Sequence, residues 1–266
     1  MAKRMLNKIH LSLSSVLSHT LILGMMLSSS VVFGQELDPQ QKDWIDHYQK
    51  QKNAPKPAEM LLNTDEEPDL DEGFVSLFNG KDLNDWEAKG GECTFEIKDG
   101  MILGTCIPGS KSTYLSTKKN DYKDFVFTCE WKLEVDGNTG VQFRSKATEV
   151  EKKGVSSVVV SGPQVEIEGK GKPGRNWTGG VYGQSCGGYF YPLWLKEHEA
   201  ARAAEKKTEW NRVTISAQGN VVKTWINGVP VSHWVDDGSY AEGFFALQVH
   251  SGKAGTILFK NIKVKE

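Results

Sequence analysis

From Phe74 onward the chain alternates between apolar and polar residues with a period of two. In "DFVFTCEWKLEV" the residues Phe125, Phe127, Cys129, Trp131, Leu133 and Val135 form an apolar row, with Thr128, Glu130 and Lys132 opposite. Successive side chains of a strand point to opposite faces of a sheet, so the pattern predicts a strand with one buried face. "GVQFRS" sets Val141 and Phe143 against Gln142 and Arg144, and "GPQVEIEG" sets Val165 and Ile167 against Gln164, Glu166 and Glu168. In "FALQVHSG", Phe245, Leu247 and Val249 oppose Gln248 and His250. Further short apolar runs are separated by Gly, Asn and Asp turns, which predicts an all-β sandwich or barrel of antiparallel strands. Two stretches depart from this: a helical pattern near Trp44 to Gln51, and residues 192–207, which read as a surface helix. Residues 35–72 otherwise run Pro-, Asp- and Glu-rich, as a peripheral arm and linker before a single domain over 73–266.

The polar rows carry the functional signal. A face that merely meets water draws on Lys, Glu, Thr and Ser. Here Arg144, Glu130, Glu166, Gln142, Gln164, Gln248 and His250 stand opposite the core rows, which is the equipment for holding a polyhydroxylated ligand. The aromatic-rich segment "GRNWTGGVYGQSCGGYFYPLW" fits the rim of such a site, with Trp177 and Tyr182 as candidate platforms. Gly179 and Gly180 ahead of Tyr182 allow a close approach of backbone to ligand.

The ends and the composition add context. Residues 1–34 begin with Lys3, Arg4 and Lys8, continue as an apolar run with no acidic residue, and end in small residues before Gln35. That is the pattern of a cleaved secretory signal peptide, predicting an exported protein, periplasmic or secreted, with no stable membrane insertion afterwards. Removing those three basic residues takes the formal charge from −2 to −5, and nothing suggests a nucleic-acid partner. All four cysteines lie in the exported part, where disulfides persist. "CTFEIKDGMILGTC" is a hairpin around Asp99-Gly100, and a two-residue turn there sets Cys93 against Cys106 in a non-hydrogen-bonded pair. A Cys93–Cys106 disulfide is expected; Cys129 and Cys186 have no register argument and stay open.

Seven segments in order also resemble the signatures of the 3-keto-disaccharide hydrolase-like domain, also described as a 3-keto-glucoside lyase and hydratase. They are "SLFNGKDLNDW" (76–86), "NTGVQFRS" (138–145), "GPQVEIEG" (162–169), "GGVYG" (179–183), "EWNRVTISAQGNVVKTWINGVPV" (209–231), "EGFFALQVHSG" (242–252) and "ILFKNI" (257–262). The resemblance implies a concanavalin A-like jelly roll of two antiparallel sheets and an oxidised, 3-keto glucoside or disaccharide as substrate. In such a glycoside the C3 ketone acidifies the C2 proton, so a base can remove it, the C1 aglycone can leave by β-elimination, and water can add to the enone. That chemistry needs a base, an acid for the leaving group and a group to steady the enolate oxygen. His250 and Glu166 are the candidate base and acid, with Glu130 as a further acid–base candidate. Arg144 is the candidate enolate holder, and Gln164, Gln248, Gln142, Tyr182 and Trp177 are the candidate substrate contacts. No cofactor follows with certainty from the sequence; a divalent metal ion shared by His250 and Glu166 is chemically reasonable. The competing expectation is a non-catalytic carbohydrate-binding module, which would need the amides and aromatics but not an acid beside a base.

Overall fold

The computed structural model describes residues 35–170 and 173–266, so the segment read as a signal peptide lies outside the described residues. The arm opens with α1 (Lys42–Tyr48), a single short helix where the sequence suggests one, and adds β1 (Leu61–Leu62). The sandwich then follows in strands β2 (Val75–Ser76), β3 (Trp86–Gly90), β4 (Thr94–Lys98), β5 (Met101–Thr105), β6 (Thr113–Thr117) and β7 (Phe125–Val135). It continues through β8 (Thr139–Lys152), β9 (Val155–Ile167), β10 (Val181–Gln184), β11 (Gly188–Tyr191), the one-turn α2 (Glu199–Arg202) and β12 (Asn211–Gln218). The last strands are β13 (Val221–Ile226), β14 (Val229–Val235), β15 (Phe244–Val249) and β16 (Thr256–Lys265). The surface helix expected over 192–207 shrinks to α2 and a preceding 3-10 turn.

Two antiparallel sheets face each other. One has the order β1-β14-β13-β12-β7-β16-β5-β4 with β2 attached to β16, and the other runs β11-β10-β9-β8-β15-β6-β3. The core lies between them, built by the apolar rows that alternation picks out: Phe125, Phe127, Cys129 and Trp131 of β7 are wholly buried, as are Val141, Val165, Leu247 and Val249. Phe245 of β15 stacks on Phe127 of the opposite sheet with ring centroids 4.6 Å apart. Each such side chain contributes roughly 1.5–3 kcal/mol of burial.

The hairpin register follows from turn chemistry. Asp99 and Gly100 both adopt positive φ (51° and 73°), the conformation a two-residue turn needs, and Thr94 then pairs with Thr105 and Lys98 with Met101. Cys93 and Cys106 fall beyond the last rung, both buried, and the expected disulfide is corrected: the two sulfurs are free thiols, as are Cys129 and Cys186. The Cys93 backbone N–H is held by Thr113 Oγ1 (2.9 Å), its thiol faces the Lys111 carbonyl oxygen (3.8 Å), and the Cys106 thiol interacts with Cys93 and the Gly252 backbone. Among the described residues no helix is long and apolar enough to cross a membrane.

Candidate active site

The outward face of the seven-stranded sheet carries a cleft of about 340 Å³ over β9, β8 and β15. Register places its parts. Gln248 on β15 lies opposite Gly140 on β8, and Gly140 lies opposite Glu166 on β9. The absence of a side chain at Gly140 is required: a Cβ there would stand 2.5–2.7 Å from the Gln164 side chain. Gln164 uses that space to lie across β8 and reach both Glu166 and Gln248.

The result is a continuous chain of oriented amides. Ser145 Oγ donates to Gln142 Oε1 (2.7 Å), Gln142 Nε2 donates to Gln164 Oε1 (2.7 Å), and Gln164 Nε2 donates to Glu166 Oε2 (2.8 Å). Gln164 Nε2 also reaches Gln248 Oε1 (3.4 Å), whose own amide donates to the Tyr114 hydroxyl (3.2 Å). Asn138 Nδ2 donates to the second oxygen of Glu166. Burial, then the neighbouring carboxylate of Glu168, push the Glu166 carboxyl up to about 7, against the pull of Asn138, Gln164 and Arg175. Burial likewise pushes Tyr114 up to about 12 and raises Tyr182, so both phenols stay protonated donors at neutral pH.

A second acidic group supports the first. Glu168 is ion-paired with Arg175, accepts from the Trp177 backbone N–H (2.9 Å) and accepts from the Tyr189 hydroxyl (3.2 Å). Arg175 in turn donates to Tyr48 Oη (2.6 Å) and lies 5.4–5.6 Å from the ring centroids of Trp44, Tyr48, Trp177 and Tyr189. A guanidinium caged by aromatic faces and paired with a carboxylate is fixed in place.

His250 stands at the open mouth of the cleft, just after β15. Its Nδ1 faces the Ser251 carbonyl oxygen, which can only accept, so the neutral ring carries its proton on Nδ1 and presents a bare Nε2. Ser251 N donates to Ser112 Oγ (3.0 Å), and His250 N points to Asn138 O (3.4 Å), which ties the loop to both neighbouring strands.

Glu166, Gln164, Gln248, Tyr182 and His250 therefore line one cleft, as alternation suggests. Gln142 is wholly buried and acts behind Gln164. Three expectations are corrected. Arg144 adopts φ +45° at a register shift in β8, turns away from the cleft and donates to the carbonyl oxygens of Lys123 and Gly219 (2.8 Å each to Nε and one terminal nitrogen) and to Asp124. Glu130 lies on the outer face of the other sheet, beside Lys260 (3.4 Å) and Asn261. Trp177 is wholly buried and donates its indole N–H to Gln41 Oε1 (2.8 Å), so no face is offered to a sugar. Among the described residues no group of three or more His, Cys, Asp or Glu side chains is gathered to hold an ion; His250 and Glu166, the two residues considered for a shared metal, line the same cleft. Glu168, Arg175, Tyr189, Asn138, Tyr114 and Tyr48 were missed. Tyr114 alternates with Leu115 in "TYLST" and could have been found; Tyr48 ends the short helix α1, outside the alternating strands, and Arg175 reaches the cleft from an irregular segment with no periodic signal.

A 3-keto-disaccharide hydrolase of Bacteroides thetaiotaomicron is 22% identical over 236 residues, covering 73% of this chain and 78% of that protein. A solved Parabacteroides distasonis protein, provisionally named a glycosyl hydrolase, is 20% identical and covers 73% of this chain and 93% of its own, with a TM-score of 0.49. A Bacillus subtilis protein of unknown function with a galectin-like fold is 13% identical and covers 72% and 94%, also with a TM-score of 0.49. Residues 73–265 match the 3-keto-alpha-glucoside-1,2-lyase-like domain, and the chain belongs to that family.

Proposed function

We propose that the protein cleaves 3-keto-glycosides by removing the C2 proton, eliminating the C1 aglycone and adding water. The observation that carries this reading is a protonatable pair across one cleft: a buried Glu166 carboxyl held near 7 and an imidazole with its Nε2 free. His250 Nε2 takes the C2 proton, and the electron pair moves toward the C3 ketone oxygen as an enolate. The enolate collapses to a C1–C2 double bond as the C1–O bond breaks, and Glu166 gives its proton to the departing oxygen. Water then adds at C1 of the enone and a proton returns to C2, so the net result is hydrolysis. The Tyr182 hydroxyl and the Gln164 and Gln248 amides supply neutral donors and acceptors to the sugar. A non-catalytic module would have no use for a buried carboxyl held half-protonated.

The test is turnover of a panel of 3-keto-disaccharides in deuterated water, read by mass spectrometry. Label should enter at C2 of the released 3-keto sugar, and His250→Ala should lower turnover by about 100- to 10,000-fold. Turnover of the variant within a few-fold of the parent, with an unchanged melting temperature, sinks the assignment of the base. Cleavage without C2 label sinks elimination itself. The proposal extends to export, with residues 1–34 as the removed signal; a full-length mass in the cell envelope fraction would overturn it.

A further inference from the structure

The family match begins at residue 73, yet a residue 25 positions earlier lines the cleft. Tyr48 ends α1, and the arm that carries it is pinned to the β10–β11 edge of the sheet along its length. Gln41 donates to the Gly174 carbonyl oxygen (2.7 Å) and accepts from the Trp177 indole. Gln51 Oε1 accepts from the Tyr189 backbone N–H (3.1 Å). The sheet edge is cut to receive it: a Cβ on Gly188 would stand 1.9 Å from Gln51 Oε1, and one on Gly187 2.5 Å from Asn53 Nδ2. Both glycines have positive φ, so a larger residue there would be strained as well as crowded.

We propose that Tyr48 is a specificity-determining residue that forms the leaving-group end of the cleft while holding Arg175 in its aromatic cage. This rests on the elimination reading above. Strand order runs β10, β9, β8, β15, β6, so Tyr182 on β10 lies roughly three strand spacings, about 14 Å, from His250 at the end of β15 and roughly four, about 19 Å, from Ser112 ahead of β6. The base acts at C2 of the oxidised ring, which must therefore lie toward β15, with Glu166 on β9, between His250 and Tyr182, at the scissile oxygen. The departing group then extends over β10 and β11, where Tyr48 is half-buried against Tyr189 (ring centroids 5.0 Å) and Trp177 (5.2 Å). Tyr48 also touches catalysis at one remove: its hydroxyl accepts from Arg175, which pairs with Glu168, the carboxylate that helps raise Glu166.

Two substrates with the same 3-keto-glucosyl ring separate the roles, one carrying a methyl aglycone and the other a glucose aglycone. Tyr48→Ala should lower the preference for the disaccharide, as a ratio of kcat/KM, by about tenfold. Tyr48→Phe keeps the ring and removes the acceptor for Arg175, so it should keep most of that preference while displacing the kcat pH profile. Equal losses on both substrates, or a pH profile unchanged in Tyr48→Phe, overturn the proposal, and melting curves of both variants exclude simple unfolding as the cause. Calorimetric binding of the same pair to His250→Ala and to the His250→Ala, Tyr48→Ala double variant gives a readout without turnover. Selective loss of the disaccharide in the double variant with no turnover in the parent would sink the elimination reading while showing that Tyr48 contacts the second sugar. Equal affinity for the disaccharide in both would sink this one alone.

Discussion

Glu166 couples the candidate site to the stability of the protein. Its folded value of about 7 lies above the ordinary 4.5, so between those values the folded protein holds a proton that the unfolded chain releases. Stability from this group is intact below about 4.5 and is lost as the pH rises through 7, by an amount on the order of 3 kcal/mol. Glu166→Gln should remove that dependence: relative to the parent, the variant should gain stability from pH 5 to about pH 7 in urea titrations and level off above it. A constant difference across that range would contradict the buried carboxyl. Gly140 offers a second test, because its Cβ position is already occupied by Gln164. Gly140→Ala should expel that amide and lower turnover while the strands remain paired, whereas Gly100→Ala, with open space around it and only a positive φ to strain, should cost about 1 kcal/mol and leave turnover alone. At this scale the alternation of apolar and polar residues was a good guide to Gln164, Glu166 and Gln248, since each sits in a regular stretch of strand. It failed at Arg144, where a left-handed residue shifts the register of β8, and period-two reasoning has no means of seeing such a residue from sequence.

At the level of elements, turn chemistry was legible where Asp or Asn precedes Gly, a pair that readily takes two positive φ angles. Asp99-Gly100 forms the expected tight turn, and Asn227-Gly228 forms another of the same kind, joining β13 to β14 with Ile226 opposite Val229. Lys153-Gly154 makes a third such turn between β8 and β9, with Lys152 opposite Val155, and passed unnoticed because lysine is not a usual turn former. The arm was legible as a helix followed by irregular chain but not as part of the cleft, because its placement depends on contacts more than 120 residues away in sequence, such as Gln41 with Trp177 and Tyr48 with Arg175. The packing between the sheets gives a direct test of the core: Phe127→Ala, which removes a ring stacked on Phe245 from a wholly buried site, should cost about 3–5 kcal/mol in denaturant unfolding. A loss under 1 kcal/mol would mean that the two sheets do not meet there.

Across the whole molecule, the all-β class and the division of each strand into a core side and a polar side were open to reading, while sheet order was not. Alternation says which way a side chain points and nothing about which strand lies beside it. The order itself carries a consequence for how the protein comes into being. Strand β16, the last in sequence, is inserted between β7 and β5 in the interior of its sheet, pairing Phe259 with Trp131 on one side and with Ile102 on the other. Until residues 256–265 have been made, β7 and β5 have no common neighbour, and the sheet is two fragments with open edges. Synthesis from the amino end therefore cannot lock the sandwich early. A chain stopped before Thr256 should show no cooperative melting transition and should be cut rapidly by protease, and adding back a peptide of residues 256–266 should restore protection. Until that strand has been made the polypeptide stays in a threadable, unlocked form, and these ten residues are the keystone that turns it into a solid.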